Sequence, residues 1–443
     1  MTDLAQQLQA ALAASRGAGD PPAPGWWEQR RELALARLIA RGWPTPADED
    51  WKYTNVAPLL QRGLAPAARP TLTATPAWAT PDPLPEAITL VFIDGHCVGP
   101  ATGASALPTG VRICSLRQAL AEQHPALRSH LAQAPALAAQ PLACWNTALA
   151  ADGAFVYLPR GVVLAQPIQL VCFTTRAAAE RVVQLQSLLI AEPQSEAAVI
   201  ESYVAAPNAA DAACLVNSTT ELVLDANAAL GHYLLQRAGD AATLLATVQA
   251  TQQAGSRLSS LVCVLAGALV RNTLGTELAG PGAQCALDGL FFARGQQHVD
   301  NHTTIDHAQP GCSSREGYKG ILDGDATGVF SGKILVRPQA QQTDARQSNH
   351  NLLLSPSATI NSKPQLEIFA DDVKCSHGAT IGQLDAEALF YLRARGIDEA
   401  AARNLLTWAF ASEVIERVPF AALRQQLAAT VQQRLGLSGL VGG

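Results

Sequence analysis

Apolar positions follow a helical spacing at both ends of the chain and fall into short runs between them. Leu4, Leu8 and Leu12 repeat every fourth residue behind Asp3, which predicts a first helix. A second helical pattern over about 26–41 stops at Gly42, with Pro44 beyond. Prolines 66, 70, 76, 81, 83 and 85 then interrupt any regular element and mark a crossing segment at 64–86. "ITLVFIDG" predicts a strand entering an Asp-Gly turn, and the Ala- and Leu-rich stretch after it, to about 140, predicts helix.

From about 150 onward the runs are rich in Val, Leu, Thr and Phe and are separated by turn signals: "FVYLPRGVVLAQPIQLVCF", "TTELVLDANAALGHYLLQ", "SSLVCVLAGALV". Glycines 317, 320, 324, 328 and 332 are too frequent for helix and are expected in tight turns between short strands. A sandwich, a barrel and a solenoid all fit. The lack of long alternation or hairpin spacing leans towards a solenoid, although no strict repeat period is visible. Beyond Asp385 the pattern is helical again. Asp385 and Asp398 stand as N-caps, Gly396 as a stop, and Phe420, Leu423, Leu427, Val431 and Leu435 form a last apolar stripe. The expected organisation is a largely helical region at 1–145, a β core at 146–385 and a helical domain at 386–443, the last a semi-independent module.

Composition narrows the function classes. The 443 residues are ample for a large core; only 15% are charged and the net charge is -6, without the basic stripe of a nucleic-acid binder. Nine cysteines, with no C-x-x-C, read as reduced thiols. The N-terminal stretch has no basic n-region or continuous apolar run, and no stretch reaches the length of a membrane span, so a cytoplasmic protein without a membrane partner is expected.

In "EIFADDVKCSHGATIGQLD", Cys375 and His377 are two residues apart. On a strand they share a face, with Cα atoms about 6.5–7 Å apart. Two ligands of one metal or cluster, two contacts across an interface, and a small buried thiol beside a structural imidazole all fit that spacing. In "GQQHVDNHTTIDHAQPGC", His298, Asp300, His302, Thr304 and Asp306 would share one strand face and His307 the other; a polar ladder on the solvent face suits the pattern better than a metal site. In "DEDWKYT", Trp51 and Tyr53 are expected to pack a helical domain onto the core. Neither G-x-x-x-x-G-K-[ST], H-E-x-x-H nor G-x-S-x-G occurs.

"DEDWKYT", the long stretch from "SSREGYKGILDGDATGVFSGKILVRP" to "KCSHGATIG", and "LFYLRARGI" together resemble the SufB/SufD family of iron-sulfur cluster assembly proteins. The resemblance covers about 271–416, with a weaker echo at 43–60. His377-Gly378-Ala379-Thr380 stands where the SufB branch usually reads H-E-A-T, and C-x-x-C clusters are missing, which places the chain on the SufD side. The resemblance implies a right-handed parallel β-helix flanked by N- and C-terminal helical domains. It also implies a non-catalytic scaffold in a complex with SufB, met through the β-helix, and the SufC ATPase, docked on the C-terminal helices; a homodimer is allowed for the chain alone. His377 is implied at the SufB interface, with Cys375 the lesser candidate. Iron or an iron-sulfur cluster would be held transiently between the two chains and not tightly by this one. The rival is a β-helix enzyme, either a thiol hydrolase or a carbohydrate-active enzyme using Asp371 and Asp372, although adjacent strand residues cannot flank one bond.

Overall fold

The computed structural model describes residues 2–15, 23–62, 64–72, 76, 78, 79, 84, 87–103 and 107–437. Its centre is a parallel β-solenoid of about eight turns with helices at both ends of the chain. Each turn contributes one strand to each of two sheets. The first sheet holds Ile88–Ile93, Ile168–Thr174, Glu196–Ala205, Ala229–Arg237, Arg257–Val264, Gln284–Ala293, Ser313–Leu322, Thr343–Leu353 and Val373–Gly382. The second runs from Ala154–Leu158 through Val182–Ala191, Leu215–Leu224, Thr243–Gln252, Leu269–Leu278, His298–His307 and Thr327–Val336 to Thr359–Ile368. Alternate side chains point inward, so Val183, Leu185 and Leu189 meet Leu244, Val248, Leu258 and Val262 in one continuous core. The solenoid expectation holds. The turns differ in length, however: Thr243 faces Leu269, a step of 26 residues, whereas Val182 faces Leu215, a step of 33. Unequal turns explain why no period is visible in the sequence.

Local signals place the helices well. Gly25–Arg41 ends at Gly42, whose φ of 77° suits glycine. The side chains of Asp385 and Asp398 accept from the amides of Glu387 and Ala401, capping Ala386–Ala394 and Glu399–Ile415. Asp94 and Gly95 form the expected turn, both at positive φ, before His96–Cys97. The expected helix up to about 140 is broken into Leu116–Ala121, Pro125–His130, Pro135–Ala138 and Pro141–Leu149, the last three each opened by a proline. The crossing segment at 64–86 is only partly within the described residues.

The glycine-rich stretch corrects an expectation. Of the five glycines only Gly324 sits in a turn; Gly317 and Gly320 lie inside Ser313–Leu322, and Gly328 and Gly332 inside Thr327–Val336. They answer to space. A Cβ on Gly320 would stand 2.3 Å from the Phe291 ring, so the narrow interior closes only without one.

The two sheets are covered on their outer faces by different helices. Leu8, Leu12, Leu35, Leu38 and Trp145 pack on Val182, Leu215 and Leu245 of the second sheet. Ala411, Val414, Leu423, Leu427 and Val431 pack on Tyr233, Leu235, Leu261 and Phe292 of the first. The C-terminal helices thus share a core with the solenoid, and the semi-independent module expected from their stripes is not what the structure shows.

Candidate functional site

Cys375 and His377 lie on Val373–Gly382, the last strand of the first sheet, opposite Ala345 and Gln347. Cys375 packs against the end of the inner core, and burial pushes its thiol up from the ordinary value. A thiol held protonated is a poor nucleophile until a cation or metal takes the proton's place. His377, on the same inward face of the strand, is exposed because no further turn covers it. None of the residues of Thr359–Ile368 or Val373–Gly382 is buried, and each strand is the last of its sheet. Around this open end Phe369, Ile381, Phe390 and Tyr391 are exposed by 62%, 54%, 73% and 57%. Apolar surface of this size beside unpaired strand edges marks an association surface.

Among the described residues no three His, Cys, Asp or Glu side chains converge as a metal site. Cys375 and His377 offer two donors of the kind iron accepts, and further donors must come from elsewhere. A groove of about 560 Å³ lies on the outer face of the first sheet, beside Arg257, Arg315 and Arg346, and includes neither residue.

The histidine-rich strand does something else. His298, Asp300 and His302 share the outer face, while His307 points inward to Ser314 Oγ at 2.9 Å. That face is covered around Asp300, which is buried, and opens to solvent at Thr304. The "DEDWKYT" segment lies over it: Trp51 stacks on the Arg271 guanidinium, 3.7 Å from the ring centroid, and Arg271 donates to the Asp50 carbonyl at 2.8 Å. Arg271 also pairs with Asp300, which accepts the Thr54 hydroxyl. With that proton committed, His298 Nε2, 2.9 Å from Thr54 Oγ1, must be the donor, and burial keeps its ring neutral by lowering its pKa. Burial alone would raise the Asp300 carboxyl, but Arg271 and then His302, 3.0 Å away, hold it well below the usual carboxylate range. The ladder is a clamp for the N-terminal segment. The sequence showed both halves of this contact but not that they meet.

Asp371 and Asp372 sit in the exposed bend before the last strand, not on a strand. Residues 173–410 match the family model described as SUF system FeS cluster assembly, SufBD core domain, and residues 23–170 match the SufBD protein N-terminal region. The chain belongs to the SufB/SufD family. SufB/SufD relatives align over nearly its whole length. An iron-sulfur cluster assembly SufBD family protein of Synechocystis is 34% identical, over 91% of this chain and 90% of its own. The iron-sulfur cluster assembly protein SufD of Escherichia coli is 31% identical, over 90% and 91%, and the chloroplastic protein ABCI7 of Arabidopsis thaliana 29% identical, over 96% and 88%.

Proposed function

We propose that this SufB/SufD-family chain is a non-catalytic scaffold subunit of the SUF assembly complex. It pairs with SufB through the open end of the solenoid, docks the SufC ATPase on its C-terminal helices, and contributes His377 and, secondarily, Cys375 to a site that builds a nascent cluster. The observation that carries this reading is the open end itself: a soft thiol and an imidazole, with unpaired strands and exposed aromatic residues around them. Two donors from one chain leave coordination positions for a second chain, and incomplete ligation keeps iron or a cluster transient, as cargo must be. Helix Ala386–Ala394 buries none of its residues, which suits a surface awaiting a partner. Among the described residues no helix is long and apolar enough to cross a membrane.

The test is anaerobic reconstitution with SufB and SufC, comparing the unaltered chain with His377→Ala. Because His377 is exposed, the variant should keep its melting temperature and its complex, while cluster content drops at least about tenfold, the scale of losing a metal-site group. Cys375→Ser should cost less. Normal cluster content in a stable His377→Ala complex would sink the claim.

A further inference from the structure

A buried carboxylate lies beneath the open end without a counter-charge. Glu316 occupies the inward face of Ser313–Leu322 and is 1% exposed. Its Oε2 accepts from Gln347 Nε2 at 2.6 Å, and the Thr303 hydroxyl, from the second sheet, is the other polar group that faces its carboxylate. Burial pushes its carboxyl up to about 7, and Asp288, of like charge, adds to the rise. Gln347 is itself buried, and its Oε1 is an acceptor with no partner. Its side chain reaches towards the second sheet, where a Cβ on Gly332 would stand 2.4 Å from Gln347 Nε2. The backbone there leaves room for this amide.

The register puts Leu287, Glu316, Gln347 and His377 in one inward column, adjacent members separated by one strand spacing of about 4.8 Å. Leucine fills the column one turn deeper. Burying an amide and a carboxylate in the next two turns, with the amide oxygen left open, is costly, and packing alone does not call for it. The open acceptor of Gln347 has His377 as its next neighbour in the column.

We propose that Gln347 and Glu316 are positioning residues for His377. The ring N–H of His377 donates to Gln347 Oε1, Glu316 holds the amide in that orientation, and the other ring nitrogen is left to face out of the solenoid as a lone-pair donor. This rests on the reading of His377 as a site residue and deepens it. A ligating imidazole needs its second nitrogen engaged so that one tautomer is fixed, and a neutral amide acceptor does this without favouring the charged ring.

The direct test uses the full chain with ¹⁵N-labelled histidine, its ring nitrogens read by NMR above neutral pH, with His377 identified by the signals lost in His377→Ala. The unaltered chain should show one neutral tautomer at His377. Gln347→Met, similar in length but without the acceptor, should give mixed tautomers, whereas Glu316→Gln, which still accepts from Gln347, should keep most of the single form. Should Gln347→Met alone fold poorly, the double variant Glu316→Gln/Gln347→Met carries no unpaired carboxylate and must show the same mixture. Unchanged tautomers in either methionine variant overturn the proposal. In the reconstituted complex, Gln347→Met should lower cluster content without adding to the loss in His377→Ala, and additive losses would also overturn it. If His377→Ala left cluster content unchanged, the assembly reading would fail while the tautomer measurement still decided the geometry.

Discussion

The two ends of the solenoid are built in opposite ways. At the N-terminal end the chain turns back on itself: His96–Cys97 pairs antiparallel with Ile88–Ile93, and Arg112–Ser115 pairs antiparallel with Ala154–Leu158. The edges left there are two and four residues long, and Val111 and Ile113 join the inner core. At the other end two ten-residue strands stop with nothing beyond them. Short antiparallel edges are a known way to stop sheets from adding strands, and long parallel edges invite it. One end is finished by its own chain, and the other is left open.

This contrast is tested most severely with a phenylalanine at each end. Phe92 is 3% exposed in the first strand, and Phe92→Ala should lower stability by about 3–5 kcal/mol through transfer and cavity costs. Phe369 is 62% exposed, and its change to Ala should move stability by less than about 0.5 kcal/mol. Association should respond in reverse: Phe369→Glu with Ile381→Lys should weaken binding to SufB by about 100-fold or more while denaturant unfolding of the chain alone is unchanged. Equal losses of stability at both ends would remove the distinction.

Buried glutamates sharpen it further. Glu221, under the N-terminal helices, accepts from the Ala132 amide at 2.7 Å, whereas Glu316 beneath the open end meets only side chains, Gln347 and Thr303; burial pushes both up to about 7. A carboxyl raised by folding stays protonated in the native chain after the unfolded chain has released its proton, so stability falls as pH rises from about 4.5 to about 7 and then levels. Glu316→Gln should remove roughly half of that slope and stabilise the chain by up to a few kcal/mol at pH 8, and Glu221 should keep the remainder. A pH profile identical to the unaltered chain would show that Glu316 is not buried as described.

The smallest effect belongs to the helix beside the open end. Asp385→Ala removes a cap worth about 0.5–1 kcal/mol, but Ala386–Ala394 buries nothing. The loss should show as faster amide exchange in that helix, with the melting temperature unmoved.

How much of this was legible depended on the reach of each signal. The caps at Asp385 and Asp398, the stop at Gly42 and the Asp94-Gly95 turn are set by hydrogen bonds and dihedrals within a few residues, and they were read correctly. The alternation of His298, Asp300 and His302 against His307 was also correct, since period two follows from the strand alone. What covers that face was not, because Trp51 and Arg271 are 220 positions apart in the chain. Glycine was misread for a related reason: turn and tight packing demand the same residue, and only the neighbour across the interior separates them.

By itself the sequence determined the order helical, β-rich, helical, the helix ends at Gly42, Asp385, Gly396 and Asp398, the strand faces, and the family, all of which follow from local chemistry or from motif order. Only the tertiary structure decided the register, because turns of 26 to 33 residues erase any period. It alone decided that the C-terminal helices share a core with the first sheet and that Glu316, Gln347 and His377 stand in one column. Parallel coiling brings together residues about thirty positions apart, and no local pattern records which of them meet.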